Sequence, residues 1–295
     1  MRLANLGDVT PSDRTVAVGT FDGVHLGHRD VIAGADAVLT FDPHPVSVVA
    51  PAHTPRLLTP LPIKADIIAG LGVAELIVID FDTAFAARSA EQFIDDVLVA
   101  RLGARVVSVG ENFRFGSGAK GDAELLAAHG RFATRIVPLR ELDGEVVSSS
   151  HIRSLVAAGA VAHAAELLGA PFELRGTVVG GDRRGRELGF PTANVVPDER
   201  LANPGHGVYA CLANGVPAAV NVGVRPTFES GRGELIEAHL IDFDGDLYGS
   251  ELRLQFLEKL RGERRFASVD ALIEEMQRDV ARARTLCASV SLDRQ

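Results

Sequence analysis

Thr15-Val16-Ala17-Val18-Gly19-Thr20-Phe21-Asp22-Gly23-Val24-His25-Leu26-Gly27-His28 sets the character of the first half of the chain. Thr15–Val18 is a short apolar, β-branched run and reads as a strand. It ends in a glycine-bearing turn, and His25-Leu26-Gly27-His28 falls where the next helix should begin. Gly27 permits close backbone approach, and a helix N-terminus favours a phosphate. Two imidazoles one turn apart can donate to triphosphate oxygens. A lone histidine would more simply be a core or surface residue, but two of them flanking a glycine after a strand favour the anion reading. A metal site formed by His25, His28, Asp42 and His44 is the less favoured alternative, because neither cysteine nor a close carboxylate cluster completes a coordination shell.

Working outward, further strand-like runs appear at Val38–Phe41, Leu76–Asp80, Arg105–Val109 and Thr134–Pro138. Helical patterns lie between them. Pro62 sits in a first-turn position ahead of Ile63, Ile67, Ile68 and Leu71. Ser89 and Gln92 form a capping box before Phe93, Val97 and Leu98. This alternation predicts a parallel, doubly wound α/β sheet, whose ligands bind beyond the carboxyl ends of the strands. A helix over about Ser150–Leu168, striped by Ile152, Leu155, Val156, Ala160 and Ala164, closes this half. Gly169-Ala170-Pro171 stops it, which places the domain boundary between residues 170 and 171.

Beyond that boundary the pattern changes to strands: Glu173–Val179, Val208–Ala213, Ala218–Val222, Leu235–Asp242 and Glu251–Phe256. Turn residues separate them, which predicts a small antiparallel β-barrel. A terminal helix follows Ser268, with Leu272, Ile273, Met276, Val280 and Ala283 at helical spacing for core packing.

Gly180-Gly181-Asp182-Arg183-Arg184-Gly185-Arg186-Glu187-Leu188-Gly189-Phe190-Pro191-Thr192-Ala193-Asn194 has the parts of a phosphate site. Its glycines let N–H groups approach anionic oxygens. Thr192 and Asn194, two apart in an extended strand, point to one face and could share a hydrated Mg²⁺. A Walker A loop is excluded, since no Gly-Lys-Ser/Thr follows. In Ile236-Glu237-Ala238-His239-Leu240-Ile241-Asp242, Glu237, His239 and Ile241 share a face. On an inward barrel face a carboxylate is costly unless it works or pairs.

Bulk properties narrow the function classes. The 295 residues suffice for two cored domains. The net charge of −9 gives little long-range attraction for nucleic acid, so no nucleic-acid partner is expected and anionic substrates must be caught locally. Cys211 and Cys287 have no ligand spacing and read as two reduced thiols of a cytoplasmic protein. Met1-Arg2-Leu3-Ala4-Asn5 lacks an apolar signal region, and no apolar run reaches spanning length, so no membrane partner is expected. Nothing in the sequence gives an oligomeric state.

Several motifs together resemble one family. Gly-Asp-x-Arg-Gly-Arg-x-Leu-Gly-Phe-Pro-Thr-Ala-Asn over residues 181–194 resembles the riboflavin kinase signature. Val18–His28, Thr40-Phe41-Asp42-Pro43-His44-Pro45 and Gly110-Glu111-Asn112-Phe113-Arg114-Phe115-Gly116 resemble the other half of the prokaryotic bifunctional riboflavin kinase/FMN adenylyltransferases, also called FAD synthetases. The resemblance covers nearly the whole chain. It implies a nucleotidyltransferase-like sheet over residues 1–170 and a kinase barrel over 171–295, with ATP as co-substrate, Mg²⁺ as cofactor, and riboflavin, FMN and FAD as ligands.

The resemblance also implies roles. His25 and His28 would stabilise charge at the α-phosphorus and on leaving pyrophosphate, electrostatic catalysis without a covalent intermediate. Gly19, Phe21, Ser148 and Arg153 would join them around ATP; Ser148-Ser149-Ser150-His151-Ile152-Arg153 keeps the family's Ser-Ser-Thr-x-Ile-Arg pattern with Ser150 for the threonine. In the barrel, Gly180, Asp182 and Arg186 would meet ATP, Thr192 and Asn194 the metal, and Glu237 would be general base for the riboflavin hydroxyl. Asn112 and Phe113, with Arg261 and Glu263 of a segment that includes Arg264 and Phe266, would contact flavin. Asn221–Phe228 resembles a segment near the nucleotide. Phe113 and Phe115 serve equally well as simple packing.

One feature departs from the family. Only the nine residues Arg29–Ala37 separate His28 from Val38. A five-residue strand advances about 16 Å, and a helix returning that far needs roughly eleven residues. The first crossover should therefore be short or partly irregular, open more readily than the other helices of this half, and leave FMN adenylylation the weaker activity. Two rivals follow: a riboflavin kinase whose adenylyltransferase module is degraded, and a non-enzymatic flavin-binding protein. Retention of Thr192, Asn194 and Glu237 argues against the second, since binding alone needs no general base.

Overall fold

The structure is a computed structural model that describes residues 1–180, 189–224 and 234–292. The chain divides into two compact units, Met1–Ser149 and Ser150–Gln295. This division falls ahead of the boundary expected at 170/171, because the helix at 161–168 packs on barrel strands.

In the first unit six parallel strands form one sheet: β1 (Arg2–Asn5), β2 (Arg14–Val18), β3 (Ala37–Asp42), β4 (Glu75–Asp80), β5 (Ala104–Gly110) and β6 (Ala133–Val137), in spatial order β1-β4-β3-β2-β5-β6. Alternate residues feed two cores. Val16, Val18, Leu39, Phe41, Ile77, Ile79, Val107 and Val109 join one cluster with Phe93, Ile94, Val97 and Leu98. Ala17, Val38, Leu76 and Val78 join the other with Val31, Ile32 and Ile68. A sheet buried on both faces is what doubly wound topology requires. The strand order reverses between β2 and β5, so their carboxyl ends frame the switch-point crevice. All five expected strands form. The edge strand β1 escaped the sequence reading because only Ala4 of its four residues is buried.

The expected capping box is complete: Ser89 Oγ accepts the Gln92 N–H at 3.2 Å and Gln92 Oε1 accepts the Ser89 N–H at 2.8 Å. The first crossover is indeed short. Helix α1 (Leu26–Ile32) has seven residues, about 10 Å of helix. Consequently β3 enters beside the middle of β2, Ala37 opposite Val16, and the two strands share only three partner pairs, against six for β3 and β4.

The second unit is a closed antiparallel barrel of β7 (Phe172–Val179), β8 (Ala193–Pro197), β9 (Gly207–Ala213), β10 (Val216–Val224), β11 (Glu234–Leu240) and β12 (Glu251–Arg261), in order β7-β8-β11-β10-β9-β12. Val195, Val220, Val222, Ile236, Ala238, Leu252, Leu254 and Phe256 are all at most 1% exposed and fill its interior. The terminal helix Val269–Leu292 lies outside, where Ala283 and Val280 meet Val208, Ala210 and Ala219. Cys211 and Cys287 are buried and form no disulfide with each other, and burial pushes both thiols up.

Two expectations change here. The helix expected over 150–168 is two helices, Ser149–Ala158 and Val161–Leu168. They part at Gly159, whose φ is +80° and whose Cβ, if present, would lie 2.6 Å from Tyr209 Oη and 2.7 Å from Lys259 Nζ. Glu237 does not lie on the inward face. The interior takes Ile236, Ala238 and Leu240, so Glu237 and His239 point outward with Asn221 and Ala219, the residues opposite them.

Candidate active sites

At the carboxyl end of β2, the chain turns through Phe21 (φ 48°), Gly23 (φ 93°) and Val24 (φ 42°) before α1 begins. His25 is the N-cap of α1, its Nδ1 accepting the His28 N–H at 3.2 Å. That bond leaves Nε2 as the donor of neutral His25. The two imidazoles are stacked, centroids 3.5 Å apart, and Phe21 meets His28 edge-on at 5.4 Å. His25 is buried and His28 half-buried, so the pair is held as one rigid unit at the helix N-terminus.

The loop rests on Leu58, Thr59 and Lys64, just before and within the helix Leu61–Gly70. Asp22, 1% exposed, accepts the N–H groups of Leu58 at 2.9 Å and Thr59 at 3.0 Å. Thr59 Oγ1 accepts the Gly23 N–H at 2.8 Å. Lys64 Nζ, buried in the helix Leu61–Gly70, donates to the Thr20 carbonyl at 2.6 Å. Burial pushes the Lys64 ammonium down, while Asp22 and Asp42 pull it up. Ser149 Oγ donates to the Asp22 carbonyl at 2.8 Å. A lysine within an apolar helix stretch, Ile63-Lys64-Ala65-Asp66-Ile67-Ile68, was the one sequence signal of this support.

Past β3, His44 caps the short helix Pro45–Val49, its Nδ1 accepting the Val46 N–H at 3.3 Å. Among the described residues no group of three or more His, Cys, Asp or Glu could hold a metal ion. Past β5, Asn112 is exposed and Phe113 half-buried. Phe113 stacks on Phe115 at 5.5 Å, and Phe115 packs on Phe93 at 5.3 Å. Phe115 is thus a packing residue, and half-buried Phe113 packs against the same cluster. Ser148 lies one residue before the end of the first unit, and Arg153 lies in the second, half-buried in the helix Ser149–Ala158.

On the barrel, register builds the site. Glu237 stands directly opposite Asn194 of β8 on one side and Asn221 of β10 on the other. Asn221 Nδ2 donates to Glu237 Oε2 at 3.5 Å. Asn194 is opposite Val179, and Gly180 follows at once. Thr192 is two residues before Asn194, on the same face. The Phe190-Pro191-Thr192 corner is held by His239: its Nδ1 lies 2.8 Å from the Pro191 carbonyl and its ring 5.5 Å from Phe190. Glu263 reaches the same face, since a Cβ on Gly223 would lie 2.7 Å from Glu263 Oε1. Arg261 instead donates to Asp279 of the terminal helix at 2.9 Å. Thr192, Asn194, Glu237, Asn221 and Glu263 therefore gather on one outer face, and Gly180 follows the end of β7 beside Asn194. Asp182, Arg186 and the stretch from Arg225 to Phe228 lie outside the described residues.

With this geometry in place, comparison with known proteins agrees on both halves. A family model described as FAD synthetase matches residues 8–151, and one described as riboflavin kinase matches 168–287. The chain is 38% identical over 298 residues to the bifunctional riboflavin kinase/FMN adenylyltransferase of Escherichia coli K12, covering 95% of each protein. It is 36% identical to the protein of the same name from Listeria monocytogenes, again covering 95% of each. Among solved structures, one described as a macrolide-efflux protein from Streptococcus pneumoniae superposes with a TM-score of 0.87 at 30% identity, covering 96% of this chain and 99% of that one. Among the described residues, no helix of the present chain is long and apolar enough to cross a membrane.

Proposed function

The chain belongs to the family of bifunctional riboflavin kinase/FMN adenylyltransferases, and we propose how its residues divide the two reactions. The barrel unit transfers the γ-phosphoryl group of ATP to riboflavin, giving FMN. The sheet unit transfers AMP from ATP to FMN, giving FAD and pyrophosphate. We assign adenylyl transfer to residues 1–170 and the kinase to 171–295; the family models matched over 8–151 and 168–287 support this order of the two activities along the chain.

The observation that carries the kinase reading is the cross-strand row Asn194–Glu237–Asn221. Glu237 is the general base: it accepts the proton of the riboflavin hydroxyl as the oxygen attacks the γ-phosphorus. Asn221 orients the carboxylate through its donated hydrogen bond. The hydroxyl of Thr192 and the amide oxygen of Asn194 form an oxygen-only donor pair beside that carboxylate, which suits Mg²⁺, an ion that keeps several waters and shares substrate phosphates. When bound, it neutralises charge on the ATP phosphates. Gly180, Asp182 and Arg186 serve the nucleotide. Glu263 serves the flavin side, carried on a segment that Arg261 anchors to Asp279.

In the sheet unit the reacting phosphates lie beyond the ends of β2 and β5. The FMN phosphate attacks the α-phosphorus of ATP, and pyrophosphate leaves. His25 and His28, stacked and preorganised, donate to the oxygens that gain charge. Backbone around Gly19 and Phe21, with Ser148, completes the ATP contacts of this unit, and Asn112 and Phe113 meet the flavin. Supplying the protein with riboflavin and ATP and separating products by chromatography tests the division. FMN should appear first and FAD after it. FMN without any FAD would return the chain to the kinase-only alternative, and neither product would overturn both assignments.

A further inference from the structure

Beneath the histidine loop lies a charge to which the two reactions assign no role. Lys64 is 6% exposed and Thr40 is fully buried. The Thr20 carbonyl accepts from Lys64 Nζ at 2.6 Å and from Thr40 Oγ1 at 3.1 Å; Lys64 Nζ also lies 3.4 Å from Thr40 Oγ1. The three groups close a triangle directly under the peptide that joins Thr20 to Phe21.

The consequence is geometric. In a trans peptide the C=O and the following N–H point in opposite directions. The Thr20 C=O points into the protein, toward a buried ammonium and a buried hydroxyl. The Phe21 N–H must therefore point out, at the carboxyl end of β2, where a ligand of this fold sits. Phe21 has φ of 48°, a left-handed value that a bulky L-residue adopts only when its surroundings impose it. The same segment fixes the rest of the turn, through Thr59 at Gly23 and Leu58 and Thr59 at Asp22. The ammonium also places positive charge beneath the strand ends, between Thr20 after β2 and Asp42 at the end of β3, the two carboxylates acting on it being Asp22 and Asp42.

We propose that Lys64 is a positioning residue for the triphosphate of ATP: it locks the Thr20–Phe21 peptide so that the Phe21 N–H faces the phosphates, and its charge supports the anion from below. This rests on the reading of the sheet unit as the adenylyltransferase. Lys64 does not touch substrate in this role and acts through the backbone of the loop.

The test uses the full chain with Lys64→Met, which keeps the stem and removes the donors and charge, and Lys64→Arg, which restores both. FAD formation from supplied FMN is followed at varied ATP and at varied FMN, with FMN formation from riboflavin as the internal control. For Lys64→Met, KM for ATP should rise about tenfold and kcat/KM for ATP fall about 100-fold, the scale of losing preorganised charge-assisted donors. KM for FMN should stay within about twofold, since the peptide faces phosphate, not flavin. Lys64→Arg should recover at least about tenfold of the loss, as expected of a restored charged donor. Wild-type kinetics in Lys64→Met would overturn the proposal. So would equal losses in both variants, or equal rises in both KM values, because these mark packing alone. If the wild-type protein itself made no FAD, the adenylyltransferase reading would fail instead, and the control reaction would show it.

Discussion

In the sheet unit, the residues that would meet ATP at β2 lie within one run of ten, Gly19–His28. In the barrel unit, Asn194, Glu237 and Asn221 come from three strands and meet only because β8, β11 and β10 pair in one register. The first site is contiguous in sequence but stands on a remote foundation, Leu58, Thr59 and Lys64. The second depends on strand alignment, with its Pro191 corner held by His239 from the same row. A slip of β11 by one residue would turn Glu237 into the apolar interior and bring Ile236 or Ala238 out. Sequence proximity thus gives a loop whose shape must be enforced from outside, whereas strand pairing gives a row whose shape is enforced by the barrel itself.

The largest expected effect separates the two units. Glu237→Gln keeps the shape and the Asn221 contact but removes the base, so kcat for FMN formation should fall by about 10²–10⁴. FAD formation from supplied FMN should not change. Near wild-type FMN formation in this variant would break the kinase assignment. The reciprocal variant, His28→Ala, removes one donor and the stack on His25. FAD formation should fall by about 10²–10³, the usual scale for one preorganised donor, with FMN formation intact. If both activities fell together in either variant, the two sites would not be independent and the contrast between them would be lost.

How legible each site was follows from the same contrast. The histidine loop could be read directly, because strand, turn, N-cap and helix follow one another in sequence. Its foundation could not, since a lysine that supports a carbonyl 44 positions away leaves only an oddly placed charge in an apolar helix. In the barrel, Thr192, Asn194 and Glu237 were recognisable by motif, but their partner Asn221 and the outward face were set by register, which residue types do not encode. The inward placement weighed for Glu237 failed because alternation says which residues share a face, not which face is inside. The helix expected to run unbroken to Leu168 breaks at Gly159, a glycine with a left-handed φ of +80° that lies close to Tyr209 and Lys259. The short crossover was readable from counting alone, since chain length between strands is a hard geometric limit.

That crossover yields the smallest and most local prediction. A seven-residue helix has almost as many orphan carbonyls at its end as internal hydrogen bonds. Here they are met from the neighbouring strands. Ser108 Oγ on β5 donates to the Val31 carbonyl at 2.7 Å. Arg135, from β6, donates to the same carbonyl at 2.7 Å, to the Asp30 carbonyl at 3.2 Å and to Ser108 Oγ at 3.0 Å. Arg140 adds an ion pair with Asp30 at 3.1 Å, but both side chains are exposed and this pair contributes little. Arg135 therefore does for α1 what further helical turns would otherwise do. Arg135→Ala should cost the helix end about 1–2 kcal/mol, so the Ala33 and Ala35 amides, bonded to Arg29 and Ile32, should exchange about tenfold faster. Because His25 and His28 sit at the opposite, N-terminal end, FAD formation should fall only a few-fold by comparison with the loss of a transition-state donor. Arg135→Lys, which can still donate to a carbonyl, should restore most of the protection. Unchanged exchange in Arg135→Ala would show that the short crossover is held by Val31 and Ile32 in the core, and that its end needs no clamp.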